Sequence, residues 1–226
     1  MTAINEAFHP AETPREPVLS PVDRVSEMLF GLFMALTFTG AISVAESGDA
    51  QIHEMYVAAL GCNLAWGLVD AVMYLVRTVT DRGRLISLIR SVRGAPDAET
   101  GHALIKSALS KVGASLVSTA EIEAMRGRIL ALTDLPAAPT LTRHDLTAAL
   151  AIFLIVVAAT FPVVLPFALI DDVGLAKNVS RAIAVAMLFF GGLALGRYAG
   201  YGSWKVGLLM AGLGTALVGA INALGG

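Results

Sequence analysis

The sequence has few charged residues, and this shortage is its most informative property. Only 15% of the 226 residues are Asp, Glu, Lys or Arg, whereas 56% are hydrophobic and the mean hydropathy is +0.71. A soluble domain of this size needs more charge to cover its surface, so the composition predicts an integral membrane protein embedded in a lipid bilayer. The net charge of −2 provides no bulk basic surface, which argues against a nucleic-acid partner.

Cysteine and histidine are also scarce. Cys62 is the single cysteine of the sequence, which excludes an intramolecular disulfide, and no two of the four histidines stand at metal-ligand spacing. No segment brings together a nucleophile, a base and an orienting group, so we do not expect an enzyme. Residues 1–25 hold four of the nine prolines and no apolar core. They predict a flexible amino-terminal tail and exclude a cleavable signal peptide.

Long apolar runs dominate the rest of the sequence. Five segments stand out, at residues 28–45, 55–76, 146–170, 179–196 and 204–224. A helix needs about 20 residues to cross a bilayer. The predicted fold is therefore an all-α, polytopic membrane protein with five transmembrane helices, spans 1 to 5, and a small helical cytoplasmic insert between spans 2 and 3. The organisation is spans 1 and 2 in 26–76, the insert in 77–145, and spans 3 to 5 in 146–226.

The basic residues predict the orientation of these spans. Fourteen of the sixteen lysines and arginines fall on one side of the five-span layout, and only Lys177 and Arg181 fall on the other. By the positive-inside rule, the amino terminus and the 77–145 insert are cytoplasmic and the carboxyl terminus is outside.

The insert reads as three helices. The first continues span 2 and ends at "RGAPDAETG", the second covers 102–117, and the third begins at Ser118, where Ser118 and Glu121 have the spacing of a capping box. Glu121 and Glu123 are candidate oxygen ligands for a cytoplasmic metal ion. Ordinary solvated surface charge is the favoured alternative, because two glutamates do not make a convincing site.

Polar residues at membrane depth form the main candidate site. Asp70 interrupts the apolar run "GLVDAVMYLV", and Asn63 precedes it by seven residues on nearly the same helical face. Counting from the cytoplasmic ends places Met34 of span 1 at the depth of Asp70. Glu27 lies on the Met34 face at the membrane edge, and Met73 is one turn beyond Asp70. A carboxylate with thioethers suits a first-row divalent ion such as Fe²⁺ or Mn²⁺.

Each of these residues also has a structural interpretation. Asp70 is either a ligand or a protonated, hydrogen-bonded group within the helix bundle. Met34 and Met73 are equally typical of core packing, since methionine fills irregular gaps. Asn63 can cross-link two helices by a hydrogen bond. The sequence leaves both sets of interpretations open.

Small residues and prolines predict how the later spans pack. In span 5, small residues recur every four positions and favour close helix approach; they are Gly207, Ala211, Thr215, Gly219 and Ala223. Span 3 contains "FPVVLP". Pro162 and Pro166 each lack a backbone donor, so we expect the helix to kink or loosen there.

Several local patterns resemble the vacuolar iron transporter (VIT) family. They are "VSEMLFGLFMALTFTGAIS" in span 1, "FPVVLPFAL" in span 3, the small-residue end of span 5, and the five-span layout with its insert. The resemblance covers residues 22–226. It implies a homodimer, with an ion path lined by span 1 and its neighbours, that moves Fe²⁺ or Mn²⁺ out of the cytosol in exchange for protons. It also implies a bacterial cytoplasmic membrane protein with no permanently bound cofactor.

The sequence departs from the family at the ion path. The family pattern in span 1 resembles G-L-x-D-G-L-T, and Met34 stands where its aspartate would be. In span 2, Asn63 aligns with the family glutamate and Ala71 with its methionine, beside Asp70. One hypothesis is that the carboxylate and the thioether have exchanged helices. The alternatives are a non-transporting membrane scaffold or sensing protein on the same fold, or a transporter of a different cation.

Overall fold

The computed structural model describes residues 19–41, 49–200 and 202–223, and all the regular secondary structure in these ranges is helical. The predicted all-α class is confirmed. The helices are α1 (Pro21–Ala41), α2 (Asp49–Arg93), α3 (Ala98–Ala108), α4 (Lys111–Leu116), α5 (Thr119–Leu130), α6 (Arg143–Val164), α7 (Pro166–Leu169), α8 (Val173–Tyr198) and α9 (Ser203–Ala223).

Three of the described helices, α6, α8 and α9, are long and apolar enough to cross a membrane. They correspond to the predicted spans 3, 4 and 5 and agree with the expectation of a membrane protein. The predicted spans 1 and 2 fall on α1 and on the first part of α2, with residues 42–48 outside the described ranges. The count of five spans therefore stays a prediction.

The start of α1 differs from the predicted limit of the tail. The helix begins at Pro21, inside the range 1–25, because Ser20 and Asp23 cap it reciprocally: the Asp23 amide donates to Ser20 Oγ at 3.1 Å and the Ser20 amide donates to Asp23 Oδ2 at 3.2 Å. Proline is favoured at the first helical position, where its missing N–H is no loss. Residues 1–18 lie outside the described part of the chain.

The chain divides into two compact units. The large unit comprises Pro17–Tyr74 and Leu146–Gly226, and the small unit contains Leu75–Asp145. The core of the large unit is formed by α1, α6 and α8, and its fully buried leucines and valine are Leu32, Leu36, Val163 and Leu188.

Glycines bring α8 and α9 together in the large unit. A side-chain carbon added at Gly192 would lie 2.8 Å from Gly207 Cα, which is closer than real carbon atoms approach. Only the start of the predicted small-residue stripe of α9 takes part in the contact with α8. Gly207 is buried, whereas Thr215 and Gly219 are exposed, because a four-residue repeat turns about 40° per step around a helix of 3.6 residues per turn.

The predicted loosening of span 3 occurs after Pro162. Helix α6 continues through Pro162, ends at Val164, and a new helix begins at Pro166. The last carbonyls of a helix have no donor within it. Ser180 of α8 supplies one, since its buried hydroxyl donates to the Val163 carbonyl at 2.6 Å.

The small unit packs the second part of α2 against α3 and α5 around Val92, Ile105 and Ile122. Three sequence predictions are confirmed: α2 is unbroken to Arg93, the chain then leaves the helix, and Ser118 and Glu121 form a capping box. The predicted single helix at 102–117 is wrong. It is two helices, because Ser110 caps a new start by accepting from the Gly113 amide at 3.0 Å.

Arginines of α2 hold the segment that follows α5. The Arg82 Nη1 donates to the Thr140 carbonyl at 2.7 Å, Arg90 Nη2 donates to the Ala137 carbonyl at 2.6 Å, and Arg93 donates to the carbonyls of Ile129 and Leu132. Charged donors make stronger hydrogen bonds than neutral ones. A segment without regular structure is thereby fixed along one helix.

Candidate metal site

The first part of α2 presents a polar stripe to the interior and apolar side chains to the outside. The buried and half-buried positions follow helical spacing, and they are Asn63, Gly67, Asp70, Ala71 and Tyr74. The large apolar side chains between them are 41% to 59% exposed, and they are Leu64, Trp66, Leu68, Val69, Val72 and Met73. This distribution is the reverse of that in a water-soluble helix.

Helix α6 covers the polar stripe. A side-chain carbon added at Gly67 would lie 3.2 Å from the Phe153 ring and 3.3 Å from the Phe153 carbonyl oxygen. The absence of a side chain at Gly67 thus lets α6 approach α2 between Asn63 and Asp70. Both polar side chains are consequently drawn away from the surface of the large unit.

Two polar atoms on this stripe have no hydrogen-bond partner among the described residues. They are Asn63 Nδ2, on a side chain that is 3% exposed, and Asp70 Oδ2, on a half-buried side chain. A buried polar atom left unpaired costs about 1–3 kcal/mol, and native proteins keep few of them. Packing does not explain these two atoms, so they mark the candidate site.

Contacts with α6 determine the relative depth of α1 and α2. A side-chain carbon at Gly31 would lie 3.0 Å from the Val156 carbonyl oxygen, at the level where Gly67 contacts Phe153. Leu19, before α1, and Tyr74 of α2 both pack near Ala148 and Ile152. Helix α1 therefore runs parallel to α6 and α2 runs antiparallel to it.

This register revises the depth pairing expected from sequence. Met34 follows Gly31 by three residues, and Asp70 follows Gly67 by three residues. Because the two helices run in opposite directions, Met34 and Asp70 are about 9 Å apart along the bundle. Glu27, on α1, is instead level with Asp70, and Asn63 is level with Met34. The contacts at Gly31 and Gly67 therefore favour a different pairing from the one that counting residues predicts.

The other predicted membrane ligands have different surroundings. Met34 is half-buried, and Glu27 is half-buried with an interaction of its own within the described structure. Met73 is 46% exposed on the outward face of α2 with Val69 and Val72, and is not on the Asp70 stripe. Among the described residues no group of three or more His, Cys, Asp or Glu side chains is arranged to hold a metal.

The two predicted cytoplasmic ligands bind protein groups. Glu121 Oε2 accepts from the Ser118 amide at 2.8 Å and from its hydroxyl at 2.7 Å, and the Ser118 side chain is the main cause of the lowered pKa of Glu121. Glu123 accepts from Arg126 Nε at 2.8 Å and lies 2.5 Å from His102 Nε2. The hydrogen bond from Arg126, then that from His102, lowers the pKa of Glu123 to about 2. These contacts favour ordinary structural charge.

A buried ion pair in the small unit was not predicted. Asp145, whose side chain is 4% exposed, accepts from Arg82 Nη1 at 2.6 Å and from Nη2 at 2.8 Å. It also accepts from the Thr142 amide at 2.6 Å and the Thr142 hydroxyl at 2.8 Å. The spacing of Thr142 and Asp145 before an apolar run is a capping signal. No sequence pattern identifies Arg82 as the partner, 63 residues away.

No protein-family model matches this chain, and no curated protein matches it. The residues and contacts described above therefore carry the functional argument.

Proposed function

We propose that this protein is a dimeric membrane transporter that moves a divalent transition metal, Fe²⁺ or Mn²⁺, out of the cytosol in exchange for protons. It would be a divergent bacterial relative of the vacuolar iron transporters in the cytoplasmic membrane. The observation that carries the proposal is the buried Asp70 Oδ2, which has no hydrogen-bond partner among the described residues. Ionisable groups within membrane helices usually mark an ion or proton path.

The reversed polarity of α2 supports its assignment as a transmembrane helix. Exposed apolar side chains around an interior polar stripe suit a helix whose outer face meets lipid or a second subunit. With α1 as span 1, this gives the five-span layout. The distribution of Lys and Arg then supports a cytoplasmic amino terminus, a cytoplasmic 77–145 region and an external carboxyl terminus.

The register supports a two-level path. Asp70 and Glu27 supply carboxylate oxygens at one level, and Met34 and Asn63 supply a thioether and an amide oxygen at the next. Oxygen ligands with one soft ligand suit Fe²⁺ and Mn²⁺ better than Mg²⁺. A carboxylate held away from water is stable when it is protonated or when it binds a cation. We propose that the cation and the proton alternate at Asp70, which would couple the two movements.

A second candidate is a non-transporting scaffold or sensing protein on the same fold. Two observations favour it: the small set of described ligands, and the dry packing of α1, whose Leu32 and Leu36 have no exposed surface. In this case the small unit would bind a partner, and Asp70 would have a purely structural role within the bundle.

Reconstituted liposomes distinguish these functions. Uptake of Fe²⁺, Mn²⁺ and Mg²⁺ would be measured with and without a pH gradient for the wild type, Asp70→Asn and the control Asp81→Asn, which changes an exposed acid on the same helix. We expect Fe²⁺ or Mn²⁺ uptake by the wild type that depends on the gradient, a loss of about tenfold or more in Asp70→Asn, and none in Asp81→Asn.

Two results would contradict the proposal. Wild-type uptake no faster than in protein-free liposomes would favour the scaffold. Equal uptake by the wild type and Asp70→Asn would remove Asp70 from the path. Selective uptake of Mg²⁺ would instead support the transporter of a different cation.

A further inference from the structure

The small unit contains an apolar cavity between α2, α3 and α5, with a volume of about 300 Å³. This is at the lower limit for pockets that bind small molecules. Six apolar side chains line it, and they are Leu88, Ile105, Ala108, Leu109, Met125 and Ile129. Four of its lining residues, Leu88, Ile105, Met125 and Ile129, belong to the packed group around Val92.

The end of α3 forms part of the cavity wall. The helix stops at Ala108, Leu109 adopts an extended conformation with φ −77° and ψ 150°, and Ser110 caps the start of α4. Ala108 and Leu109 both line the cavity.

Arg128 supplies the single charged group of the lining. Four other arginines of the small unit, Arg82, Arg90, Arg93 and Arg126, bind carboxylates or carbonyls. Arg128 is exposed, and within the described ranges it has no hydrogen bond or ion pair. An unpaired guanidinium beside an apolar cavity is suited to a ligand with one anionic group and an apolar body.

The dimensions indicate the class of ligand. A water molecule takes up about 30 Å³ of the liquid, so the cavity holds about ten groups of that size, and a methylene group is similar. The apolar walls offer nothing to a polar or multiply charged ligand. We propose that this cavity binds about ten carbons of one alkyl chain of an anionic amphiphile, with the carboxylate or phosphate of that amphiphile held by Arg128. The ligand comes either from free fatty acid or from a membrane lipid.

Photolabelling of the full-length protein in lipid nanodiscs tests this site. The probes are decanoate with a terminal diazirine, the matching diazirine decanol, and phosphatidylglycerol with a diazirine on one acyl chain. Labelled peptides would be mapped by mass spectrometry. We expect decanoate to label the peptides that contain Ile105 and Met125, with at least about tenfold less labelling by decanol because it lacks the charge.

Three variants locate the ligand. Arg128→Gln should reduce decanoate labelling about tenfold, whereas Arg84→Gln, which changes an arginine whose side chain is 80% exposed, should leave it unchanged. Ala108→Trp should abolish labelling by filling the cavity from its rim. Unfolding temperatures of the variants show whether each remains folded, and the pair Arg128→Gln and Arg84→Gln decides the question if Ala108→Trp does not fold.

The labelling results distinguish the two sources of the ligand, and other results would overturn the proposal. Labelling by decanoate alone supports a free acid as ligand, and labelling by phosphatidylglycerol at the same peptides supports a membrane lipid. Equal labelling by decanoate and decanol, no labelling of these peptides by either anionic probe, or labelling unchanged in Arg128→Gln would overturn the proposed site.

Discussion

The two units each keep a carboxylate away from water, and they do so in opposite ways. Asp145 of the small unit accepts two hydrogen bonds from Arg82 and two from Thr142. Asp70 of the large unit has a buried oxygen that accepts none from the described residues. A buried charge is tolerated when it is fully paired, and an unpaired one needs another explanation. The contrast marks Asp145 as a structural acid and motivates the proposed role of Asp70.

The units also differ in how their segments are joined. In the small unit, arginine donors fix a segment without regular structure to α2. In the large unit, Gly192 and Gly207 bring two apolar helices into direct backbone contact. Hydrogen bonds from charged side chains thus hold the segment of the small unit, and close packing holds the two helices of the large unit.

Removing the arginine that pairs with Asp145 should have the largest effect on stability. Arg82→Ala leaves Asp145 buried without its main partner, and removing one partner of a buried pair typically costs about 3–5 kcal/mol. We expect a loss near the lower limit, about 3 kcal/mol, because the Arg82 side chain is 18% exposed. Chemical denaturation and hydrogen exchange of residues 131–142 would measure it.

The matched control is Arg84→Ala. Arg84 and Asp81 are 4.0 Å apart with side chains 80% and 75% exposed, so the change should alter stability by less than about 0.5 kcal/mol. Similar losses in both variants would show that the Arg82 pair has no special role.

Gly192→Ala tests the close packing of α8 and α9. The new carbon would lie 2.8 Å from Gly207 Cα and 2.8 Å from the Val206 carbonyl oxygen. The helices must separate, and overpacking of this kind costs about 1–3 kcal/mol. Unfolding in a denaturing detergent would measure the loss.

Gly212→Ala, on α9, is the opposite case. No atom lies within 4 Å of the added carbon, so the helix should gain about 0.5–1 kcal/mol from the better helix former. An equal loss of stability in Gly212→Ala and Gly192→Ala would show that the close contact at Gly192 is not the cause of the loss there.

Neutralising Asp70 should change stability least among the buried acids. Asp70→Asn removes no hydrogen bond from Oδ2, so we expect a change within about 1 kcal/mol, whereas Asp145→Asn should cost about 2 kcal/mol through its bonds to Arg82. Unfolding of the two variants in parallel would measure this difference. A larger loss in Asp70→Asn than in Asp145→Asn would reverse the assignment of structural and functional acids.

Lowering the pH tests the contacts of Glu123, an exposed acid of the small unit. Bonds from Arg126 and His102 hold the pKa of Glu123 at about 2, below its ordinary 4.5. The stabilisation is therefore present above pH 4.5 and is lost as the pH falls toward about 2. Glu123→Gln should flatten the pH dependence of small-unit unfolding in that window, and Arg126→Gln should move the loss to higher pH. Identical curves for the wild type and Glu123→Gln would contradict the assigned pairing.

Local signals in the sequence were sufficient for much of the fold. Apolar runs predicted the long helices, and the spacing of Ser118 and Glu121 predicted a capping box that the structure contains. A helix end depends on a few adjacent residues, which are all visible in sequence. The two differences from the predicted helix limits, at Pro21 and at Ser110, also involve capping residues that are visible in the sequence.

Pairing between distant residues was not visible in the sequence. The partner of Asp145 lies on another helix, and nothing near Arg82 distinguishes it from Arg77 or Arg84. The depth of Met34 relative to Asp70 depends on where Gly31 and Gly67 contact α6. Residue counts cannot supply that register, because it depends on which side chains of two helices fit against one another.

Local composition and periodicity are enough to predict the helical class, the apolar helices and the unusual position of Asp70. The level of Asp70 relative to Glu27, the pairing of Asp145 and the cavity beside Arg128 depend on contacts between segments that are distant in the chain. The physical reason is that a hydrogen bond or a buried contact requires two segments of the chain. The local sequence around one residue does not identify the segment that contacts it.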